Sequence, residues 1–130
     1  LHDALPICQY TPLSASTSYC RAQKFFHLEA KGTSLLVTAV DKAEGGDLGS
    51  TTLQWRFNPQ RGDFELIGKE TVWTSGKDGS RSSVNYLSGK VITSERVKGR
   101  LKASQEKRFA VPALAVLKGF DCDTHDDGAP

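Results

Sequence analysis

The chain has 130 residues, of which 38% are hydrophobic and 25% charged, and its net charge is +2. This length and balance fit one globular domain with its own core and exclude a disordered chain. No apolar run approaches the roughly 20 residues of a membrane helix, so no membrane span is expected, and so small a charge makes nucleic acid an unlikely partner.

Residues 1–7, LHDALPI, match one reading frame of a short-read sequencing adapter. They are expected to be adapter-derived, which makes the chain a metagenomic fragment whose natural N-terminus and any signal peptide are lost. Cys8 is then a suspect codon. Residues 8–22 are rich in Ser, Thr and Pro and read as an extended lead-in. The β domain is expected over 23–121, followed by a flexible acidic tail over 122–130.

Within the domain the elements follow from period-two alternation. Phe26, Leu28 and Ala30 alternate with Phe25, His27 and Glu29. Ser34 to Val40 is a β-branched run suited to a buried central strand. Glu44 to Ser50 reads as a flexible loop. Thr51 to Phe57 sets Leu53, Trp55 and Phe57 on one face. Asn58 to Asp63 is a turn, with Pro59 presetting one dihedral and Gly62 supplying a positive one. The strand from Asp63 then returns, and pairing Phe57 with Phe64 places Trp55 opposite Leu66, all four on one face.

Gly68 reads as a bulge or twist in a strand continuing to Thr74. Ser75 to Ser80 is a turn, Ser82 to Leu87 a strand, and Ser88-Gly89 a tight turn into Lys90 to Thr93. A two-residue or a three-residue loop both fit there, and the choice decides which face holds Val91 and Ile92. Arg96 to Arg108 fits strand, loop or short helix. Phe109 to Leu117 is apolar, but Pro112 makes it an edge strand or two short pieces. The expected fold is all-β: a single domain, mainly an antiparallel meander of about seven strands, as a sandwich or a partly open barrel.

The candidate chemistry is thin. His27 lies mid-strand and His125 in the tail, and no nucleophile motif accompanies them. Asp63 and Glu65 alternate beside a turn and read as solvated. Asp41, Glu44 and Asp47, like Asp121, Asp123, Asp126 and Asp127, lack the spacing of a calcium loop. Arg61-Gly62-Asp63 is the integrin tripeptide, but turn chemistry explains each residue. Trp55 and Trp73 would offer a sugar platform if exposed; Trp55 belongs to the apolar face, whereas Trp73 is open. Cys20 and Cys122 would pair in an exported protein and remain thiols in the cytosol. No catalytic residue, cofactor or metal is expected.

Arg96, Lys98, Arg100 and Lys102 form the strongest polar signal. On one strand all four would share a face suited to phosphates or anionic polysaccharide. A solvated edge is the plainer reading, because lysines on edge strands prevent sheet-to-sheet aggregation. A turn at Gly99 would divide the set.

Trp55 to Gly68, WRFNPQRGDFELIG, and Ser83 to Lys90, SVNYLSGK, resemble a segment found in secreted or periplasmic β-rich bacterial proteins, some of which also carry an FG-GAP-like region. Leu117 to Asp121, LKGFD, fits the same pattern. The resemblance implies export and an all-β fold and brings no catalytic residues. The expected function is a non-catalytic secreted or periplasmic binding or structural module, with an envelope component, an anionic glycan or another protein as partner. The alternatives are an accessory domain of an enzyme, or an exported inhibitor or immunity-type protein.

Overall fold

The computed structural model describes residues 25–42, 44–120 and 129. Among the described residues eight strands run in chain order: β1 (Phe25–Lys31), β2 (Ser34–Lys42), β3 (Leu48–Asn58), β4 (Asp63–Ser75), β5 (Asp78–Asn85), β6 (Lys90–Val97), β7 (Arg100–Leu101) and β8 (Gln105–Arg108). All pairings are antiparallel, and β1 to β7 lie side by side in chain order. β8 folds back onto β6 beside the short β7. The sheet stays open and does not close into a barrel. The fold is therefore all-β, as expected.

The β3–β4 hairpin is the centre of the molecule. Phe57 pairs with Phe64 and Trp55 with Leu66, the register that alternation and the turn require. Trp55 is fully buried, and Phe64 and Leu66 are nearly so. Gly62 N–H donates to the Asn58 carbonyl at 2.9 Å, closing the turn. The register then slips between Gln54 and Trp55, so that Gln54 faces Gly68 and Ile67 is the extra residue. The bulge thus falls beside the glycine that announced it. It lets Leu53, opposite Lys69, stay on the core face.

Other boundaries move. β3 begins at Leu48, inside the expected loop, and a short 3-10 turn at Glu44–Gly46 precedes it. The β4–β5 turn shrinks to Gly76-Lys77, with Ser75 facing Asp78. The β5–β6 connection is neither of the expected lengths. It spans residues 86–89, because Asn85 pairs with Lys90. Its Oδ1 accepts the N–H groups of Leu87 and Ser88, which holds the wider loop. Val91 is consequently buried and Ile92 exposed.

Phe109 to Phe120 is not a strand. It is a strap that crosses one face of the sheet. Its one ladder contact pairs Val116 with Glu65. Leu66 N–H donates to the Ala115 carbonyl at 2.9 Å, and Leu117 N–H to the Phe64 carbonyl at 3.0 Å. Pro112 explains why pairing does not extend along the strap, since it has no N–H to give. Leu117 and Phe120 enter the core, where the Phe120 ring meets Trp55 edge-on at 4.9 Å. Phe109 meets Tyr86 in the same manner at 6.3 Å.

The strap covers only part of the sheet. Leu35, Val37, Leu53, Trp55, Phe64, Leu66, Val84 and Val91 lie in the buried cluster. Beyond the row of Val37, Leu53 and Val84 the same face continues as Thr51, Thr71, Trp73, Ser80, Ser82 and Thr93, none of them buried, with only the small Ala39 buried opposite Thr51. We call the strapped part the proximal half and the remainder the distal half.

Candidate functional site

Gly99 does divide the basic set. Lys98 and Gly99 have φ of 52° and 79°, the pattern of a two-residue hairpin turn of type I′. Val97 pairs with Arg100 and Arg96 with Leu101. Residues opposite one another share a face, so Arg96 and Leu101 fall on one side while Val97 and Arg100 fall on the other. Lys102 donates its N–H to the Glu95 carbonyl at 2.8 Å and lies on the Arg100 side. The expectation of four cations on one strand face is corrected: Arg96 lies on one arm of a hairpin, Lys98 in its turn, and Arg100 and Lys102 on the other side.

This hairpin docks on the β4–β5 turn. Gly99 N–H donates to the Lys77 carbonyl at 2.9 Å, and Lys98 N–H to Asp78 Oδ1 at 2.8 Å. Arg96 Nη1 reaches the Gly99 carbonyl at 3.1 Å. Two turns far apart in the sequence therefore form one distal tip, to which Lys77 brings a cation outside the alternating set.

Hollows lie on both sides of this distal half. One, of about 500 Å³, includes Thr74, Gly79, Arg81, Ser94, Arg96 and Leu101 in its lining. The other, of about 570 Å³, includes Thr71, Ser80, Arg81, Thr93, Glu95 and Lys102 in its lining. Alternation assigns the first to the Arg96 face and the second to the Trp73 face. The first hollow exists because one cross-sheet row lacks a side chain. That row runs Leu48, Thr74, Gly79, Arg96, Leu101, and Gly79 is its gap. A Cβ at Gly79 would stand 2.8 Å from the Trp73 carbonyl oxygen, so the close approach of backbone keeps that position bare.

Of the two tryptophans, Trp55 is wholly buried and unavailable to a sugar, whereas Trp73 is 44% exposed. His27 is exposed on an edge strand. His125, Cys20 and Cys122 lie outside the described residues, as do residues 1–7 and the acidic tail carboxylates. Among the described residues, no three His, Cys, Asp or Glu side chains gather as metal ligands. No helix among them is long and apolar enough to cross a membrane.

Asp63 and Glu65 are not solvated, contrary to the reading from their neighbourhood. Both are buried where the strap runs alongside β4. Asp63 Oδ1 accepts the Phe64 N–H at 2.7 Å, and Oδ2 accepts the Lys118 N–H at 3.1 Å. Arg61 Nη1 donates to Glu65 Oε2 at 2.9 Å and to the Leu114 carbonyl at 3.0 Å. That hydrogen bond from Arg61 holds the Glu65 carboxyl below its ordinary range. Burial pushes the other way, and a hydrogen bond from Asn58 and the charges of Arg61 and Arg56 assist the lowering. The Arg-Gly-Asp tripeptide is thus occupied in fastening the strap: its Asp is buried and its Arg is ion-paired.

Comparison with protein-family models, with curated proteins and with solved structures returned no match.

Proposed function

We propose that this is a non-catalytic secreted or periplasmic bacterial binding module whose ligand face is the distal half of the sheet. The observation that carries the reading is the contrast in how alternating residues are used. In the proximal half they fill a core. In the distal half they line open hollows with hydroxyl, guanidinium and ammonium groups. Concave surfaces with a few convergent polar groups are where ligands bind. Export is supported by the resemblance of Trp55 to Gly68 and Ser83 to Lys90 to exported bacterial β-proteins.

The test is amide chemical-shift mapping of the isotope-labelled chain against a panel of neutral and acidic oligosaccharides. Shifts confined to residues 69–82 and 93–105 are expected for at least one of them. Shifts confined to the strap, or none across the panel, would refute the assignment.

A further inference from the structure

We infer that the hollow on the Arg96 face binds the sulfate or carboxylate groups of an acidic polysaccharide. The inference rests on the binding-module reading and names its site and ligand class. Its first ground is the placement of two guanidinium groups. Arg81 on β5 pairs with Ser94 on β6, and Arg96 is two residues further along the same strand. Arg81 and Arg96 are thus diagonal neighbours on one face, separated by about 7–8 Å in a regular ladder. Like charges so placed repel, and an anion between them removes that cost.

Other groups suit the same ligand. Ser94 brings a hydroxyl donor to the lining, beside Thr74, whose own hydroxyl donates to the Leu48 carbonyl at 3.4 Å, and Gly79 leaves room at the floor. Leu101, 67% exposed at the mouth, offers an apolar contact to the C–H face of a sugar ring. Three carboxylates lie nearby, Asp78 and Glu95 in the lining and Glu70 on Arg81. Asp78 accepts the Lys98 N–H at the rim. Glu95 alternates onto the opposite face, and Glu70 meets Arg81 at 3.6 Å across two exposed side chains, a weak pairing. Arg96 has one donor on the Gly99 carbonyl, and a guanidinium carries five.

The chemistry separates this ligand from other polyanions. Single-stranded nucleic acid needs successive aromatic platforms, and Trp73 is the one aromatic residue in this lining. A lipid surface needs a protruding apolar tip, whereas the cations here flank a hollow. The opposite hollow lacks Arg96 and sets Glu95 beside Lys102.

The experiment titrates the chain with a heparin hexasaccharide, an alginate hexasaccharide, a dodecathymidylate and vesicles containing one-quarter phosphatidylglycerol. Binding to a hexasaccharide is expected, falling steeply with salt as counterion release requires. The double variant Arg81→Gln/Arg96→Gln should bind at least tenfold more weakly, with a salt slope reduced by about two contacts. Leu101→Glu, which puts a carboxylate at the mouth of an exposed two-residue strand, should do the same. Unchanged urea midpoints would show that both variants fold. If both variants bind like the parent while Trp73→Ala or Lys102→Gln loses binding, this site is refuted and the module reading stands. If the chain binds only vesicles or only the dodecathymidylate, the polysaccharide is refuted. If it binds no oligosaccharide of any kind, both readings fail.

Discussion

One sheet is built in two ways. In the proximal half, alternation delivers Leu53, Trp55, Phe64 and Leu66 to a face that the strap seals. In the distal half the same strands, with the same alternation, present Thr71, Trp73, Ser80 and Ser82 to solvent. Strand pairing alone is thus sufficient to extend the sheet beyond its core, provided the core anchors one end. The proximal half carries the stability, and the distal half is left free to vary its side chains for recognition.

The sharpest way to break this contrast is to truncate one tryptophan in each half. Trp55→Ala should cost about 3–5 kcal/mol, the range for a large buried aromatic, read as a large drop in urea midpoint. Trp73→Ala should stay within about 0.5 kcal/mol, as for most surface substitutions. Equal losses would mean that the halves share one core.

Gly89 tests how the strap is held. It has a φ of 72° and lies against the Phe109 carbonyl, where a Cβ would collide. Gly89→Ala should therefore cost about 2–3 kcal/mol through strain and displaced backbone. The Tyr86–Phe109 contact should loosen with it, seen as faster amide exchange in the strap.

The carboxylate clamp gives a pH signature. The folded Glu65 pKa lies below its unfolded value. Its contribution is therefore fully present above the unfolded pKa, near 4.3, and is lost as pH falls through the folded value. Urea midpoints of the parent should fall between pH 5 and acidic extremes. Those of Glu65→Gln should start about 1–3 kcal/mol lower at pH 7, the cost of breaking a buried charged hydrogen bond, and should fall less. Parallel curves would show that Glu65 does not fasten the strap.

The smallest effect belongs to the distal tip. Lys98 holds a positive φ that asparagine tolerates better. Lys98→Asn should raise stability by about 0.5 kcal/mol through a more favourable type I′ turn, measured by urea denaturation. Anion binding through Arg81 and Arg96 should be unaffected, since the backbone N–H that meets Asp78 is retained.

The centre of the fold was legible from residue order. The pairing of Trp55 with Leu66 followed from two alternating strands and a turn whose residues fix its length. The bulge was legible too, because Gly68 interrupts the pattern where the register slips. The division into halves was not, since Thr71-x-Trp73 alternates as well as Leu53-x-Trp55 does. What separates them is the reach of a strap encoded some 40 residues later. The burial of Asp63 and Glu65 was hidden for the same reason: their partners include Leu114 and Lys118. The basic stripe failed as one site because Gly99 turns the chain. The pair that replaces it, Arg81 with Arg96, is visible only when β5 lies beside β6.

The strap has a bearing on how the molecule folds. Every hairpin in the meander joins neighbours in the chain, and such local contacts form early. Among the described residues the strap makes the longest closures, from Leu117 back to Phe64 and from Phe120 back to Trp55. A growing chain that has reached Arg108 therefore has all eight described strands while Trp55, Leu66 and Val91 still lack their cover. That species exposes apolar surface and an open sheet edge, the conditions for aggregation. Emergence of the next dozen residues ends the hazard, so in this protein the interval of vulnerability is set by the synthesis or delivery of one short segment.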